Sequence, residues 1–209
     1  MAAPDPLYLL PTPAGAWIAS AEAAADRLRA FIRLLLAQPA SPPWRDPDDV
    51  FVRRLGQLGW VQFLAAPRHV SQAPFDDALR GYLPALSARG CALLADAHGF
   101  HLASSGFSDS AADALAALSA DIASLHERHQ RSLKHTLGLS GSAWAMPDAA
   151  GHSQLAFWPL HVGEHRFALV TAGVPHLNQP ELVDLVWLLH QRYGPLAHPM
   201  HHGADTTVS

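Results

Sequence analysis

Residues 91–125 read CALLADAHGFHLASSGFSDSAADALAALSADIASL, and this stretch determines the fold that we predict for the chain. The apolar run over residues 90–95 has the length of a single strand. Residues 96–99 follow it, where Asp96 favours a turn and Gly99 tolerates positive φ, so they predict a tight hairpin. Residues 100–104 then form the partner strand.

A long amphipathic helix follows this hairpin. Asp109 or Ser110 is its predicted N-cap, and the helix extends to about His129. One face carries apolar residues at three- and four-residue steps, which is the spacing of a helical stripe. The members of this stripe are Leu115, Leu118, Ile122 and Leu125.

Three further strands and a final helix complete this part of the chain. The strands are predicted over residues 142–146, 154–162 and 165–172, with Gly163 and Glu164 as a two-residue hairpin between the last two. The final helix begins after Asn178 and ends at Gly194, and it is apolar around most of its circumference, so we expect it to be buried on more than one side. With a short helix over residues 75–87, the predicted fold class is α+β: a five-stranded antiparallel sheet flanked by helices.

The N-terminal third predicts a different organisation. Residues 1–15 are rich in proline and predict irregular structure, and Ser20 caps a helix that extends to about Gln38. Asp46 caps a second helix with Pro47 at its first position, and this helix continues through Leu64. The predicted domains are therefore a Pro-rich segment and helical extension over residues 1–70, an α/β domain over residues 75–194, and a disordered, histidine-containing tail over residues 195–209.

Composition excludes several classes of function. A formal net charge of −4 argues against a dedicated nucleic-acid binder, because a phosphate backbone demands a concentrated basic face. Cys91 is the single cysteine, so no intrachain disulfide is possible. Residues 1–17 lack the basic residues of a signal peptide, and the most apolar helical run is far shorter than a membrane span. We therefore expect a cytoplasmic protein without membrane insertion.

The histidines are the strongest candidates for chemistry, and their pattern favours a non-catalytic interpretation. His198, His201 and His202 cluster near Asp205, but a free tail does not preorganise a metal site. His126, His129 and His135 are typical of the solvated end of a helix. Cys91 is predicted at the start of a buried strand, where a small apolar role is usual. The sequence contains no P-loop, GxGxxG, HExxH or GxSxG motif. We predict no enzyme, no metal and no cofactor.

The aromatic residues carry more information about binding. Most are predicted to be core, but Phe157 and Trp158 are adjacent in a strand and cannot both face one core. We expect one of them to meet the N-terminal helices, the helix on the other face, or a partner. The aromatic residues in the predicted sheet and final helix are Trp144, Phe157, Trp158, Phe167 and Trp187.

The stretch quoted above resembles the roadblock/dynein light-chain family, with its apolar strand, DxHG-type turn, Ser-Ser-Gly ending and Ala/Leu-rich helix. The hairpin LAFWPLHVGEHRFALVTAG and the helix PELVDLVWLLHQRYG fit the rest of that pattern. The resemblance covers residues 75–194. The sequence departs from it in the long N-terminus and in Pro159, since a proline within a strand indicates an edge or a bulge.

The resemblance implies a profilin-like sheet that dimerises and docks onto small Ras-like GTPases or larger scaffolds. Bacterial modules of this kind are similar to the regulator that pairs with a Ras-like GTPase in gliding motility and polarity. Dimers in the family commonly form through the second helix and the edge strand after it. The predicted partner or dimer interface here is Leu115, Leu118, Ile122, Leu125, Trp144, Met146 and Trp158.

The functional prediction is a non-enzymatic regulatory or scaffold protein. Its expected partners are a second copy of itself and a small Ras-like GTPase or a secretion, motility or polarity assembly protein. The alternative is a GAF/PAS-like small-molecule sensor, which requires an enclosed pocket between sheet and helices. The Ala-rich helix and the large apolar residues predict a filled interior instead. A second rival, a histidine-based enzyme, requires three or more histidines that converge on one point.

Overall fold

The computed structural model of the chain describes residues 7–44, 46 and 49–194. The interpretations of Pro47 and of the histidine-containing tail over residues 195–209 lie outside these residues. The elements follow in the order β1 (Leu7–Pro11), α1 (Pro13–Ser20), α2 (Arg27–Leu36), β2 (Pro43–Trp44), α3 (Val50–Gln57), β3 (Val61–Leu64), α4 (Phe75–Tyr82), a 3₁₀ turn (Leu83–Leu86), β4 (Ala92–Asp96), β5 (His101–Ser105), α5 (Asp109–His135), β6 (Trp144–Pro147), β7 (Ser153–Val162), β8 (His165–Ala172) and α6 (Pro180–Tyr193).

The second half of the chain forms one five-stranded sheet in the order β5-β4-β8-β7-β6, with every neighbouring pair antiparallel. The predicted α+β class and five-stranded antiparallel sheet are confirmed. The β4–β5 hairpin turns as predicted, because the Asp96 Oδ1 accepts hydrogen bonds from the amides of His98 and Phe100 at 2.9 and 3.0 Å. Gly99 closes that turn at φ +86°.

Pro159 lies at a position in β7 where the missing backbone N–H removes no hydrogen bond to β6. β6 pairs with β7 only as far as Phe157, so the part of β7 that contains Pro159 has no β6 residue opposite it. On its other side Pro159 is in register with Ala168 of β8, without a bulge. Pro159 therefore lies at a local edge of the sheet, as a proline within a strand predicts, although the first half of β7 has a strand on both sides.

The helices of this half begin and end close to the predicted positions. Ser108 caps α5, one residue before the predicted cap, and its hydroxyl accepts from the Ala111 amide at 3.4 Å. The helix continues to His135, beyond the predicted end at His129. Eight residues of α6 are buried, because the helix packs against α1, α2 and α4 as well as β7. Its predicted burial on several sides is confirmed.

The N-terminal third is not a pair of helices, which corrects the prediction. β1 is the centre of a small antiparallel sheet with the order β2-β1-β3, so residues 7–11 are regular and residues 61–64 are not helical. The helix predicted from Ser20 to Gln38 is two helices, and Ser20 is the last residue of the first one. The turn at Gly59, with φ +69°, separates α3 from β3.

The predicted helix caps in this third were also wrong. Thr12 caps α1, with its hydroxyl oxygen 3.1 Å from the Gly15 amide, and Asp26 caps α2. Asp49, rather than Asp46, caps α3, because its Oδ1 accepts from the amides of Phe51 and Val52 at 2.7 and 3.0 Å. In each case the side-chain oxygen satisfies an amide that the first helical turn leaves without a partner.

The N-terminal third packs directly on the five-stranded sheet and on α6. The ring of Trp17 in α1 meets the ring of Trp158 in β7 edge to face, with centroids 5.6 Å apart. The Trp187 indole donates to the Gln38 carbonyl at 2.7 Å, and Arg68 pairs with Asp184 at 2.6 Å. Burial raises the pKa of the Asp184 carboxyl, and the Arg68 guanidinium opposes that rise. One hydrophobic core therefore spans both parts of the chain.

Candidate protein-binding surface

Helix α5 covers the other face of the five-stranded sheet with small side chains. Ala112, Ala116 and Ser119 are buried against the sheet, and their size lets the helix backbone lie close to the strands. A second core lies beneath the helix, and Leu93 and Val170 are fully buried in it. This face of the sheet is covered by α5 alone among the described helices, whereas the opposite face carries α6 and α1.

The predicted apolar stripe lies along the border between the buried and exposed faces of α5. Leu115 and Ile122 are half-buried and pack against the second core. Leu118 and Leu125 are 39% and 37% exposed. Large apolar side chains that stay accessible along one line of a helix are typical of a surface that another protein covers.

Strand β6 forms the edge of the sheet beside this helix. It pairs only with β7, so its outer backbone groups have no strand partner among the described residues. Met146 is 53% exposed and Trp144 is half-buried. We call the set Leu118, Leu125 and Met146, with Leu115, Ile122 and Trp144 beneath it, the α5–β6 surface.

His126 connects the two elements of this surface. The Trp144 Nε1 donates to the His126 Nδ1 at 3.2 Å, and the two rings are perpendicular with centroids 6.2 Å apart. The interpretation of His126 as part of a solvated helix end is therefore wrong, because its ring is half-buried against β6. His129 and His135 are exposed, as predicted.

Phe157 and Trp158 divide between the two faces of the sheet, as the strand alternation predicts. Phe157 is buried beneath α5, and Trp158 lies on the opposite face against Trp17. The Trp158 Nε1 also lies 3.3 Å from the Thr171 hydroxyl oxygen. Trp158 is thus separated by the sheet from the other six residues of the predicted interface, and its aromatic contact is made within the chain.

A cleft of about 470 Å³ opens between the second half of α5 and the sheet. The prediction of a filled interior is wrong at this end of the domain, because Ala120 and Ala123 are too small to fill the space that the long helix spans. Arg166 of β8 pairs with Glu127 of α5 at its edge. Burial lowers the pKa of His161 in the cleft, and the charges of Arg166 and Arg33 lower it further.

The described residues contain no group of three or more His, Cys, Asp or Glu side chains that could hold a metal ion. His198, His201, His202 and Asp205 lie outside those residues. Cys91 precedes β4 and is half-buried rather than buried, with its Sγ 3.4 Å from the carbonyl oxygens of both Arg89 and Gly106. No helix in the described part of the chain has the length and apolarity to span a membrane.

No protein-family model and no curated protein matches this sequence. Among solved structures, a Roadblock/LC7 domain from Streptomyces avermitilis is similar at 16% identity, covering 57% of this chain and 98% of that one, with a TM-score of 0.40. The gliding protein MglB from Thermus thermophilus is similar at 21% identity over 61% and 92% of the two chains, with a TM-score of 0.35.

An MglB in a tetrameric arrangement is similar at 20% identity over 60% and 93% of the two chains, with a TM-score of 0.36. The family that the sequence resembles is thus represented among the similar structures. The α+β fold of this chain is established by its own strand order and register.

Proposed function

We propose that this chain is a roadblock-like regulatory or scaffold protein without catalytic activity of its own. It forms a homodimer through the α5–β6 surface and binds a small Ras-like GTPase or a larger assembly protein. The observation that carries this proposal is the outer edge of β6, which pairs with no other strand of the described residues, beside the exposed leucines of α5. The resemblance of residues 91–125 to roadblock modules supports the choice of partner class.

The physical case for a dimer rests on two neighbouring features, an edge strand with free backbone groups and a set of exposed apolar side chains. An edge strand presents unpaired amides and carbonyls, which a second strand satisfies. The edge is short and ends at Pro147, so backbone pairing alone gives little affinity. Leu118, Leu125 and Met146 supply the apolar area that a stable interface needs at its centre.

The N-terminal third limits where a further partner can bind. It occupies the Trp158 side of the sheet and part of α6, so those surfaces are internal to the chain. A GTPase or assembly protein therefore docks on the α5 side of the module or at the ends of the sheet. In this mode the chain supplies shape and position, and the partner supplies the chemistry.

The dimer is tested by the double substitution of Leu118→Asp with Leu125→Asp. Two carboxylates at the centre of an apolar interface should weaken self-association by roughly 100-fold, since central contacts are each worth about 1–2 kcal/mol or more. Light scattering coupled to size exclusion should give twice the chain mass for the parent protein and the single mass for this variant. Val50→Asp is the control, because Val50 is exposed on α3 and distant in sequence. A parent protein that stays monomeric at high micromolar concentration contradicts the proposed dimer.

The partner is tested by capture of a small Ras-like GTPase on the immobilised chain. We expect retention to depend on whether the GTPase carries GDP or a non-hydrolysable GTP analogue, because a regulator must distinguish the two states to act on them. Equal retention in both states, or none in either, contradicts a role in GTPase regulation. The dimer measurement is independent of this outcome.

A GAF/PAS-like sensor is the second candidate, and the cleft beneath α5 is the observation that favours it. The cleft is open on one side rather than enclosed, and the described residues beneath the first half of α5 fill the space there. The rival enzyme has weaker support, because no three histidines meet in the described part of the chain.

A further inference from the structure

Helix α5 and strand β6 together limit how two copies of the chain can meet in the proposed dimer. The commonest homodimers have two-fold symmetry. A two-fold axis perpendicular to the sheet pairs β6 with the partner's β6 in antiparallel fashion, and it keeps both α5 helices on the same side of the joined sheet. An axis in the plane of the sheet, parallel to β6, would put the second α5 on the opposite face. Both parts of the α5–β6 surface therefore meet their copies only when the two α5 helices lie side by side and antiparallel.

The charges of α5 are distributed in a way that suits this antiparallel arrangement. Its first half carries exposed acidic residues and no lysine or arginine, and its second half carries exposed basic ones. The acidic residues are Asp109, Asp113 and Asp121, and the basic residues are Arg128, Arg131 and Lys134. Glu127 is the one carboxylate of the second half, and it pairs with Arg166 of β8. Antiparallel helices place the acidic half of one copy beside the basic half of the other, whereas parallel helices would bring like charges together.

Asp121 and Arg128 lie beside the exposed leucines of the α5–β6 surface. Asp121 follows Leu118 by one turn and Arg128 follows Leu125 by one turn, so each charge lies about 60° round the helix from its leucine, on the side away from the sheet. Both side chains are exposed, and neither has an ion pair or a side-chain hydrogen bond among the described residues. A partner can therefore bind either charge without breaking a contact within the chain.

The positions of these two charges select where the helices cross. A two-fold axis just before Leu125 is equally far from Asp121 and Arg128, so it puts each of these residues level with the other one on the second helix. The same axis brings Leu125 against its own copy. It also passes close to the start of β6, because the Trp144 indole contacts His126 one residue further along α5. An axis one turn earlier would instead bring two Asp121 carboxylates together, which like-charge repulsion disfavours.

We propose that two copies of the chain pair with their α5 helices antiparallel and crossing at Leu125, and that Asp121 of each copy binds the partner's Arg128. This inference rests on the proposed dimer and adds the residues that determine which chain it pairs with. The leucines supply apolar area. The two ion pairs select a second copy over a chain that carries other charges at these positions, because a mismatched charge there is repelled.

The test reverses the two charges one at a time and then mixes the variants. Asp121→Arg sets an arginine against the partner's Arg128, and Arg128→Asp sets an aspartate against the partner's Asp121. Each variant alone should dimerise about tenfold more weakly at low salt, because exposed ion pairs are individually weak but the symmetry reverses two of them at once. An equimolar mixture should recover the parent affinity to within about threefold, because each mixed dimer again contains two Asp–Arg pairs. Sedimentation equilibrium measures the dissociation constants.

Arg131→Asp is the matched control for the change in charge. Arg131 is an exposed residue of the same helix, turned roughly 120° from Leu125, so its reversal should leave self-association unchanged. A monomeric parent protein would contradict the dimer itself and with it the proposed function. A dimeric parent protein whose two variants stay weak when mixed, or which loses as much affinity through Arg131→Asp, would overturn the helix pairing alone.

Disulfide formation gives an independent readout of the same crossing. In a chain that also carries Cys91→Ser, Leu125→Cys should form an intermolecular disulfide on mild oxidation, because the two copies of this residue meet at the axis. Ala114→Cys, at an exposed position of the same helix, should not, since antiparallel pairing separates its two copies by roughly 30 Å at about 1.5 Å per residue. Parallel helices would crosslink at both positions. Crosslinking at both positions, or none in a Leu125→Cys protein that is dimeric, would overturn the proposal.

Discussion

At the scale of single residues, His190 is the least satisfied group in the core. Its side chain is 3% exposed on α6, and neither ring nitrogen has a hydrogen-bond partner among the described residues. Burial lowers the pKa of His190 to about 4, and the charge of Arg33 contributes in the same direction. The ring is therefore neutral in the folded protein at physiological pH.

We predict that this histidine makes the fold sensitive to acid. In the unfolded chain the ring takes up a proton near its ordinary pKa of 6.5, while in the folded chain it does so only near 4. The folded state thus loses stability as the pH falls from about 6.5 to about 4, by roughly 3 kcal/mol when the fall is complete. Urea unfolding at neutral pH and at about pH 4.5 measures this loss.

His190→Leu separates this residue from the other histidines. The variant should lose less stability than the parent protein over the same pH interval. At neutral pH it should be about as stable, because the histidine ring has no hydrogen-bond partner that its removal would leave unpaired. His129→Leu, at an exposed position, is the matched control and should keep the full dependence on pH. An identical loss in both variants would show that other groups cause the acid sensitivity.

At the scale of elements, the sequence predicts those helices and strands whose ends are marked by turn residues or caps close by in the chain. The strands and helices between Phe75 and Gly194 are predicted correctly because their turns contain Asp96, Gly99 and Gly163. The paired strands β4–β5 and β7–β8 also follow each other directly in the chain. The strands of the N-terminal third are not predicted, because the strands that they pair with are distant in the sequence. Tyr8 pairs with Pro43 and with Leu64, and strands of two to five residues show no clear alternation.

The errors in the predicted helices over residues 20–38 and 46–64 have the same cause, because local spacing does not show where a helix gives way to a strand or to a second helix. Residues 61–64 continue the apolar spacing of α3, but the helix ends at Gln57 and the chain turns at Gly59, where φ is positive. Thr12 followed by Pro13 is a helix start that could have been recognised, since proline is favoured at the first position after a capping threonine. The apolar stripe on α5 is predictable from spacing, whereas Trp144 and Met146 on β6 follow only from what the family resemblance implies. The His126–Trp144 contact and the cleft depend on packing between distant segments, which spacing does not encode.

The approach of α1 to the turn after α3 gives an element-scale prediction. A Cβ added at Gly15 would lie 1.9 Å from the Trp60 carbonyl oxygen, and that oxygen is held by the Thr12 amide at 3.0 Å. Gly15→Ala should therefore destabilise the fold by about 2–3 kcal/mol, since the backbone of either element must move. The free energy of unfolding in urea measures this effect.

Gly81→Ala is the control for helix propensity. Gly81 also lies in a helix, α4, but a Cβ there would meet nothing within 4 Å. This substitution should stabilise the protein by about 0.5–1 kcal/mol, because alanine loses less backbone entropy than glycine in a helix. If both substitutions stabilise the protein, the close contact between Gly15 and Trp60 is not present in solution.

At the scale of the whole molecule, the N-terminal third belongs to the core rather than extending from it. Trp17, Ile32 and Leu36 lie in the same hydrophobic cluster as Leu160 and Trp187. The Trp187 indole and the Gln191 amide both donate to the Gln38 carbonyl, at 2.7 and 3.0 Å. Removing this third would expose one face of the sheet and much of α6 to water.

We therefore predict that the fold needs the packing of the N-terminal third on the rest of the chain, but does not need the peptide bond that connects the two parts. A chain shortened to residues 71–209 should aggregate or unfold well below the parent midpoint, because Trp158 and Trp187 would lose their cover. A site-specific protease sequence inserted between Gln72 and Ala73, both exposed, gives the matched comparison. After cleavage the two fragments should remain associated through gel filtration and separate only when the protein unfolds. A shortened chain as stable as the parent would mean that residues 75–194 fold alone, and that the N-terminal third is an appendage whose packing contributes little.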